Sequence, residues 1–303
     1  MQTKGKFVNQ PDETNNLPKH VESTGPWPFV SRHVLVRSDG EQIVQRSRHH
    51  RKGLHAAAKV ARFLHSFWLP GELNWWIGSV FSLGALLFML GSALVLVPAL
   101  ASAWALDTNA VNMIFFAGSI PFTVAAYLQL FQAANAGEFS AQGTQPPDRT
   151  LLFGWRPQQI GWLSCALQFA GTLLFNINTF DAMQPGLNWL QQDLEIWVPN
   201  FAGSILFLAS GYLAFIETCH AHWAWKPNSL SWWVTFVNFL GCIAFMVSAV
   251  FAFVPPSAPG FDATTISVLF TFVGGACFLA GSLLMLPETA IVSGAKVPET
   301  SHH

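Results

Sequence analysis

Three residues at one register position carry the chemistry that this sequence most readily suggests. Gln132, Glu217 and Glu288 close three apolar runs, FAGSIPFTVAAYLQLFQ from Phe116, FAGSILFLASGYLAFIE from Phe201 and FVGGACFLAGSLLMLPE from Phe272. An acid or amide inside a hydrophobic stretch is costly and is by default a candidate for function. Placed at one depth, the three would form a polar ring at the mouth of a pore or vestibule. They sit at the ends of their runs, however, so the simpler account is favoured, in which they end helices in wet headgroups. A second set, Gln168, Asn176, Asn178, Asn200 and Asn238, lies inside apolar stretches. An amide in lipid must find a partner, and hydrogen bonding between helices is the expected role ahead of a solute path. Glu217, His220 and His222 follow the spacing ExxHxH, a carboxylate with two imidazoles that could hold a divalent metal. On a continuous helix His220 shares the face of Glu217 while His222 points elsewhere, so no metal is assigned. No histidine pair suggests haem, and no nucleotide-binding or nucleophile motif is present. No catalytic residue is assigned, a non-enzyme is expected, and any cofactor is unknown.

The elements that must position these residues follow from composition. Only 10% of the 303 residues are charged against 51% hydrophobic, far from the balance of a soluble domain. Six stretches, near 75–97, 111–133, 160–180, 197–217, 231–253 and 265–286, are long and apolar enough to cross a bilayer as helices. The expected fold is therefore all-α, a polytopic membrane protein with six transmembrane helices. The connections after the first, third and fifth stretches carry Asp107, Asp181, Asp193, Glu195 and Asp262 and no Lys or Arg. Eleven of the 15 basic residues precede residue 63, and the rest fall on the same side, at Arg149, Arg156, Lys226 and Lys296. The positive-inside rule then puts both termini in the cytoplasm of a multi-pass protein of the cell membrane. Tryptophans near the span ends read as an interfacial belt, and the four cysteines as small core residues.

The spans repeat as pairs. Trp75, Trp162 and Trp232 align, as do Gly84, Gly171 and Gly241, then Phe88, Phe175 and Phe245, and the even spans align through the three runs quoted above. Units at 75–133, 160–217 and 231–288 each hold an even number of spans, so the copies enter the membrane in the same direction as three parallel two-helix repeats. Rotation about the membrane normal would close them into a ring. The repeated glycines are expected to let helices approach closely. Pro121 has no counterpart in the other copies and marks a possible kink.

These stretches resemble the YrhK-like family of small bacterial membrane proteins and their multi-repeat relatives. The likeness rests on NFAGSILFLASGYLAFIE from Asn200, FFAGSIPFTVAAYLQLFQAANAG from Phe115, GTLLFNINTF from Gly171 and SWWVTFVNFLGCIAFMVSAV from Ser231. It spans roughly residues 75 to 290 and leaves the amino-terminal 70 outside. It implies a membrane protein of unassigned activity and supplies no mechanism, cofactor or site.

Residues 1–70 form a cytoplasmic amino-terminal region, 71–290 the transmembrane domain and 291–303 a cytoplasmic tail. The first 60 residues lack a secretory signal core, so the first span is expected to direct insertion. Residues 1–26 are expected to be disordered. Residues 29–48 alternate around SDG as a short hairpin. The cluster RSRHHRKG from Arg46, with a helix over 54–68, reads as a basic amphipathic surface attracted to anionic lipid, and no fold signal supports nucleic-acid binding. A small-solute or ion transporter or channel is slightly favoured over an accessory subunit of a larger membrane complex, and a homo-oligomer is compatible with either.

Overall fold

The computed structural model describes residues 19–37, 39–54, 67–141, 147–253 and 262–294, with side chains described as far as Glu288. Three short strands, β1 (Lys19–Thr24), β2 (Arg32–Val36) and β3 (Gln42–Arg46), form an antiparallel sheet in that order. The β2–β3 pair is the hairpin anticipated over 29–48, with Val34 opposite Val44 and a turn at Gly40, whose φ of 85° suits glycine. Disorder through residue 26 is overturned from Lys19 onward, because β1 pairs with β2 from Lys19 opposite Val36 to Thr24 opposite Arg32. The strand KHVEST is almost wholly exposed, so its composition resembles that of a disordered leader. Its order comes from main-chain bonds to an existing hairpin edge, which composition does not register. Residues 1–18 lie outside the described residues. So do 55–66, the bulk of the expected amphipathic helix, and 295–303 of the expected tail.

A single turn, α1 (Ser47–Arg51), follows β3 directly. The long helices are α2 (Leu73–Leu96), α4 (Thr108–Asn135), α5 (Ile160–Asp181), α7 (Val198–Cys219), α8 (Leu230–Phe251) and α9 (Ala263–Gly294), with short helices α3 (Pro98–Ala103) and α6 (Trp189–Gln191) in the connections. Six helical runs are long and apolar enough to span a membrane, so the chain is a multi-pass membrane protein whose helices contact lipid. The fourth run begins eight residues before its expected start at 197, at Trp189. It passes through a π-helical turn at Gln192–Trp197 before α7. Pro199 explains the widening, because its ring would strike the carbonyl four residues back in a regular α-helix. By contrast, α4 is continuous through Pro121.

The six helices pack in cyclic order, α2 on α4, α4 on α5, α5 on α7, α7 on α8, α8 on α9, and α9 back on α2. The aligned glycines make the paired contacts. A Cβ on Gly84 would lie 2.6 Å from the Phe122 ring and 2.9 Å from the Gly118 carbonyl. On Gly171 it would lie 2.6 Å from the Phe207 ring and 3.1 Å from the Gly203 carbonyl, and on Gly241 2.8 Å from the Phe278 ring. The sheet and α1 cover one end of this bundle.

Candidate functional site: a sealed axis and its ionic cap

Every long helix sends one phenylalanine to the centre of the bundle. Phe88, Phe122, Phe175, Phe207, Phe245 and Phe278 occupy the aligned register positions of the sequence. Their ring centroids lie 5.3 Å apart for Phe88 and Phe122, 4.9 Å for Phe175 and Phe207, and 5.5 Å for Phe245 and Phe278. Further contacts from Phe88 to Phe245 at 6.1 Å and from Phe122 to Phe278 at 5.5 Å knit the pairs into one apolar layer.

A cavity lined by both apolar and polar side chains lies on each side of that layer. The one on the side away from the sheet has about 150 Å³ of free space and is lined by Asn112, Asn178, Asn200, Ser119, Thr179 and Ser248, with five of the six phenylalanines as its floor. The one on the sheet side has about 50 Å³ and is lined by Gln129, Gln168, Asn238, Ser164 and Ser210, with the guanidinium-bearing Arg48 and Arg51. The amides expected to bond between helices therefore divide. Asn176 does so, its Nδ2 donating to Thr123 Oγ1 across α5 and α4 at 2.9 Å. Asn178 and Asn200 line the far cavity, Gln168 and Asn238 the near one, and Asn238 Nδ2 donates to the Val234 carbonyl of its own helix at 2.8 Å.

At the sheet end the bundle is closed by the turn that carries RSRHHRK. Glu217 and Glu288 are each only 1% exposed. Ser47 Oγ donates to Glu217 Oε1 at 2.8 Å, and Arg51 Nη2 donates to Glu217 Oε2 at 2.9 Å. Arg48 forks onto Glu288 with Nε at 3.2 Å and Nη2 at 3.0 Å to Oε1, while Lys52 Nζ donates to Oε2 at 2.7 Å. Gln132, the third register position, donates instead to Asn74 Oδ1 at 3.2 Å, and Asn74 in turn donates to the Lys52 carbonyl at 3.1 Å. Gly161 leaves the slot for Arg51, since a Cβ there would strike the Arg51 Nε.

The account in which the two acids end helices in wet headgroups is thus corrected. Bare carboxylates would need water, but these are desolvated because fixed cations supply the hydrogen bonds that water would. The basic cluster is corrected with them, since Arg48, Arg51 and Lys52 are buried against protein instead of facing lipid. Three cations meet two acids in a site closed to water, and burial, aided by neighbouring cations, shows in the ionisation. Burial, with Arg48 beside it, pulls the Lys52 ammonium down to about 8. Burial and the neighbouring Arg46 pull the His49 imidazole down to about 4. Burial and Lys226 pull His220 down to about 3.

The ExxHxH residues do not converge. Glu217 faces Ser47 and Arg51. His220 ends α7 in the left-handed conformation with φ 57°, its Nδ1 2.9 Å from Ser31 Oγ. His222 Nδ1 lies 3.1 Å from the Tyr212 hydroxyl. Among the described residues no three His, Cys, Asp or Glu side chains gather as a metal site. Sequence reasoning missed the cap's cations as partners of Glu217 and Glu288, and missed the phenylalanine layer. A partial signal for the first was present, because two acids at equal depth demand counter-ions and the chain holds one dense basic cluster, at 46–52, although it lies far from both acids in sequence. Compared with known proteins, the chain matches no family model, no curated protein and no solved structure.

Proposed function

We propose that the protein is a membrane transport protein whose solute moves along the axis between the six helices, through a phenylalanine gate, and whose sheet-side mouth is locked by its own amino-terminal segment. In this reading the helices form three parallel two-helix repeats around an approximate threefold axis. The charge asymmetry of the loops puts the lock in the cytoplasm and both termini with it, in the cell membrane. The observation that carries the proposal is the stack along the axis. A cavity with polar groups in its wall, an apolar layer and a second such cavity lie in series, as gated pathways require. A bundle built only for packing would fill these spaces with apolar side chains. The mixed polar lining and the absence of an assigned nucleophile favour a non-enzymatic role.

The test is flux in vesicles reconstituted with the full chain. Glu217→Gln with Glu288→Gln releases the lock, and uptake of small ions or solutes is expected to rise at least tenfold over the unaltered protein. Gly161→Ala, which leaves every charge in place but crowds Arg51, is expected to raise uptake in the same direction. If both variants elute as folded, monodisperse protein and neither moves any solute faster, the transport reading fails.

One observation favours a second reading, an accessory subunit. Val21 in β1 and Trp27 just after it are 60% and 86% exposed, and among the described residues β1 leaves one edge unpaired. Such an edge with apolar neighbours suits strand addition by a partner. Mild-detergent extraction from the native membrane would then yield stoichiometric partner proteins, which disappear when Trp27 is replaced by Glu.

A further inference from the structure

We infer that the cavity between the phenylalanine layer and the ionic cap is a binding site for a small monovalent inorganic anion, held by Arg48, Arg51, Gln168 and Asn238. The cavity takes charge from one side only. Arg48 and Arg51 both line it, and none of the residues lining it is acidic. Glu217 and Glu288 cannot neutralise the cap, because two carboxylates face three cations, Arg48, Arg51 and Lys52. The cations of the cap are buried with that imbalance, Arg48 and Lys52 on Glu288 and Arg51 on Glu217.

The donors are not used up. Arg51 is 8% exposed, and its Nε is buried without a hydrogen-bond partner beside Gly161, at the boundary with the neighbouring cavity. Arg48 spends its Nε and Nη2 on Glu288. A buried guanidinium proton left unpaired costs free energy that an anion within reach would recover. Gln168 and Asn238 occupy one register position in successive repeats, so two amides converge at the same depth on the same cavity. Size limits the ligand. About 50 Å³ of free space admits a few water molecules, or one halide or nitrate with water, and excludes an organic carboxylate of any length. Naming this anion as the transported solute rests on the reading of the axis as a conduit, whereas the binding itself does not.

Equilibrium binding to the full chain in detergent tests the site without any flux measurement. Thermal unfolding is followed while sodium chloride or sodium nitrate replaces sodium gluconate at constant ionic strength. A saturable rise in unfolding temperature with chloride or nitrate is expected, with no such rise in gluconate. Gln168→Leu and Asn238→Leu, which alter no charge, are each expected to weaken the apparent affinity at least tenfold. The inference is overturned by a response that gluconate reproduces, by no saturable response, or by unchanged affinity in both leucine variants. If binding holds while the released-lock variants move no chloride or nitrate, the site stands and the transport reading falls. The reverse result, flux of another solute without anion binding, leaves the conduit and removes the site.

Discussion

Glu217 and Glu288 lie at the ends of apolar helices yet buried away from water, where bare charge is costly, and each is held by guanidinium or ammonium donors within 3.0 Å. A buried pair contributes modest net stability, because desolvation consumes most of the Coulomb gain, yet removing one partner leaves the other uncompensated. The histidines around the cap add a pH dependence whose sign can be worked out. His49 and His220 ionise near 4 and 3 in the folded protein against 6.5 when free. Above pH 6.5 both are neutral in either state. Below it the unfolded chain takes up protons first, so stability is lost as pH falls from 6.5 towards 4. For His220 the loss is about 1–3 kcal/mol once solvent screening of a partly exposed ring is allowed for. His220→Asn keeps a residue that tolerates the left-handed backbone and removes one titrating ring. The fall in unfolding temperature between pH 6.5 and 4 is expected to become shallower in that variant. An unchanged slope would assign the acid sensitivity to other groups.

Helices and their contacts divide sharply into what the sequence displays and what it hides. The six spans were legible because apolar runs of bilayer length have few alternatives. The close helix contacts were legible too, since Gly84, Gly171 and Gly241 recur at a fixed distance from Phe88, Phe175 and Phe245 and each meets a neighbouring helix. These glycines are where helices touch most closely, and Gly171→Ala measures how closely. Its Cβ would sit 2.6 Å from the Phe207 ring and 3.1 Å from the Gly203 carbonyl, and backbone cannot yield as a side-chain tip can. A destabilisation of about 1–3 kcal/mol is expected from such overpacking. Gly71→Ala, with nothing within 4 Å of its Cβ, should stay within about 0.5 kcal/mol of the unaltered protein. Denaturant titration of the detergent-solubilised variants distinguishes the two, and equal effects would mean that the α5–α7 crossing is looser than described. The cap was hidden for a different reason. Arg48 and Glu288 are 240 residues apart, and a cluster such as RSRHHRK satisfies a lipid-surface pattern as well as it satisfies a buried one. Local sequence fixes the cluster's charge but not which surface neutralises it. Likewise β1 owes its order to β2, so its own residues carry no strand signal.

Across the whole molecule, the proposed conduit has two barriers in series along the axis, and series barriers make a prediction that neither makes alone. Phe245 is the best-connected member of the layer, with centroids 5.5 Å from Phe278, 6.1 Å from Phe88 and Phe175, and 6.4 Å from Phe207. Phe245→Ala opens a gap between the two cavities at a cost of about 3–5 kcal/mol, the usual range for emptying a buried aromatic site. With the ionic cap intact that gap leads nowhere, so vesicle flux through Phe245→Ala alone is expected to stay at the level of the unaltered protein. Added to Glu217→Gln and Glu288→Gln, the same substitution removes the second barrier. Flux should then change in kind as well as rate, from saturable with solute concentration, as a gate that must open for each passage imposes, to linear, as an open hole permits. Saturation that survives in the triple variant would show that the phenylalanine layer is packing and that control resides elsewhere on the path. Because Gln132 replaces the third acid and Asn74 takes the place of a cation beneath it, the cap is asymmetric where the layer is not. The lock should therefore open by release from the Glu217 and Glu288 side, with the Gln132 side acting as the hinge.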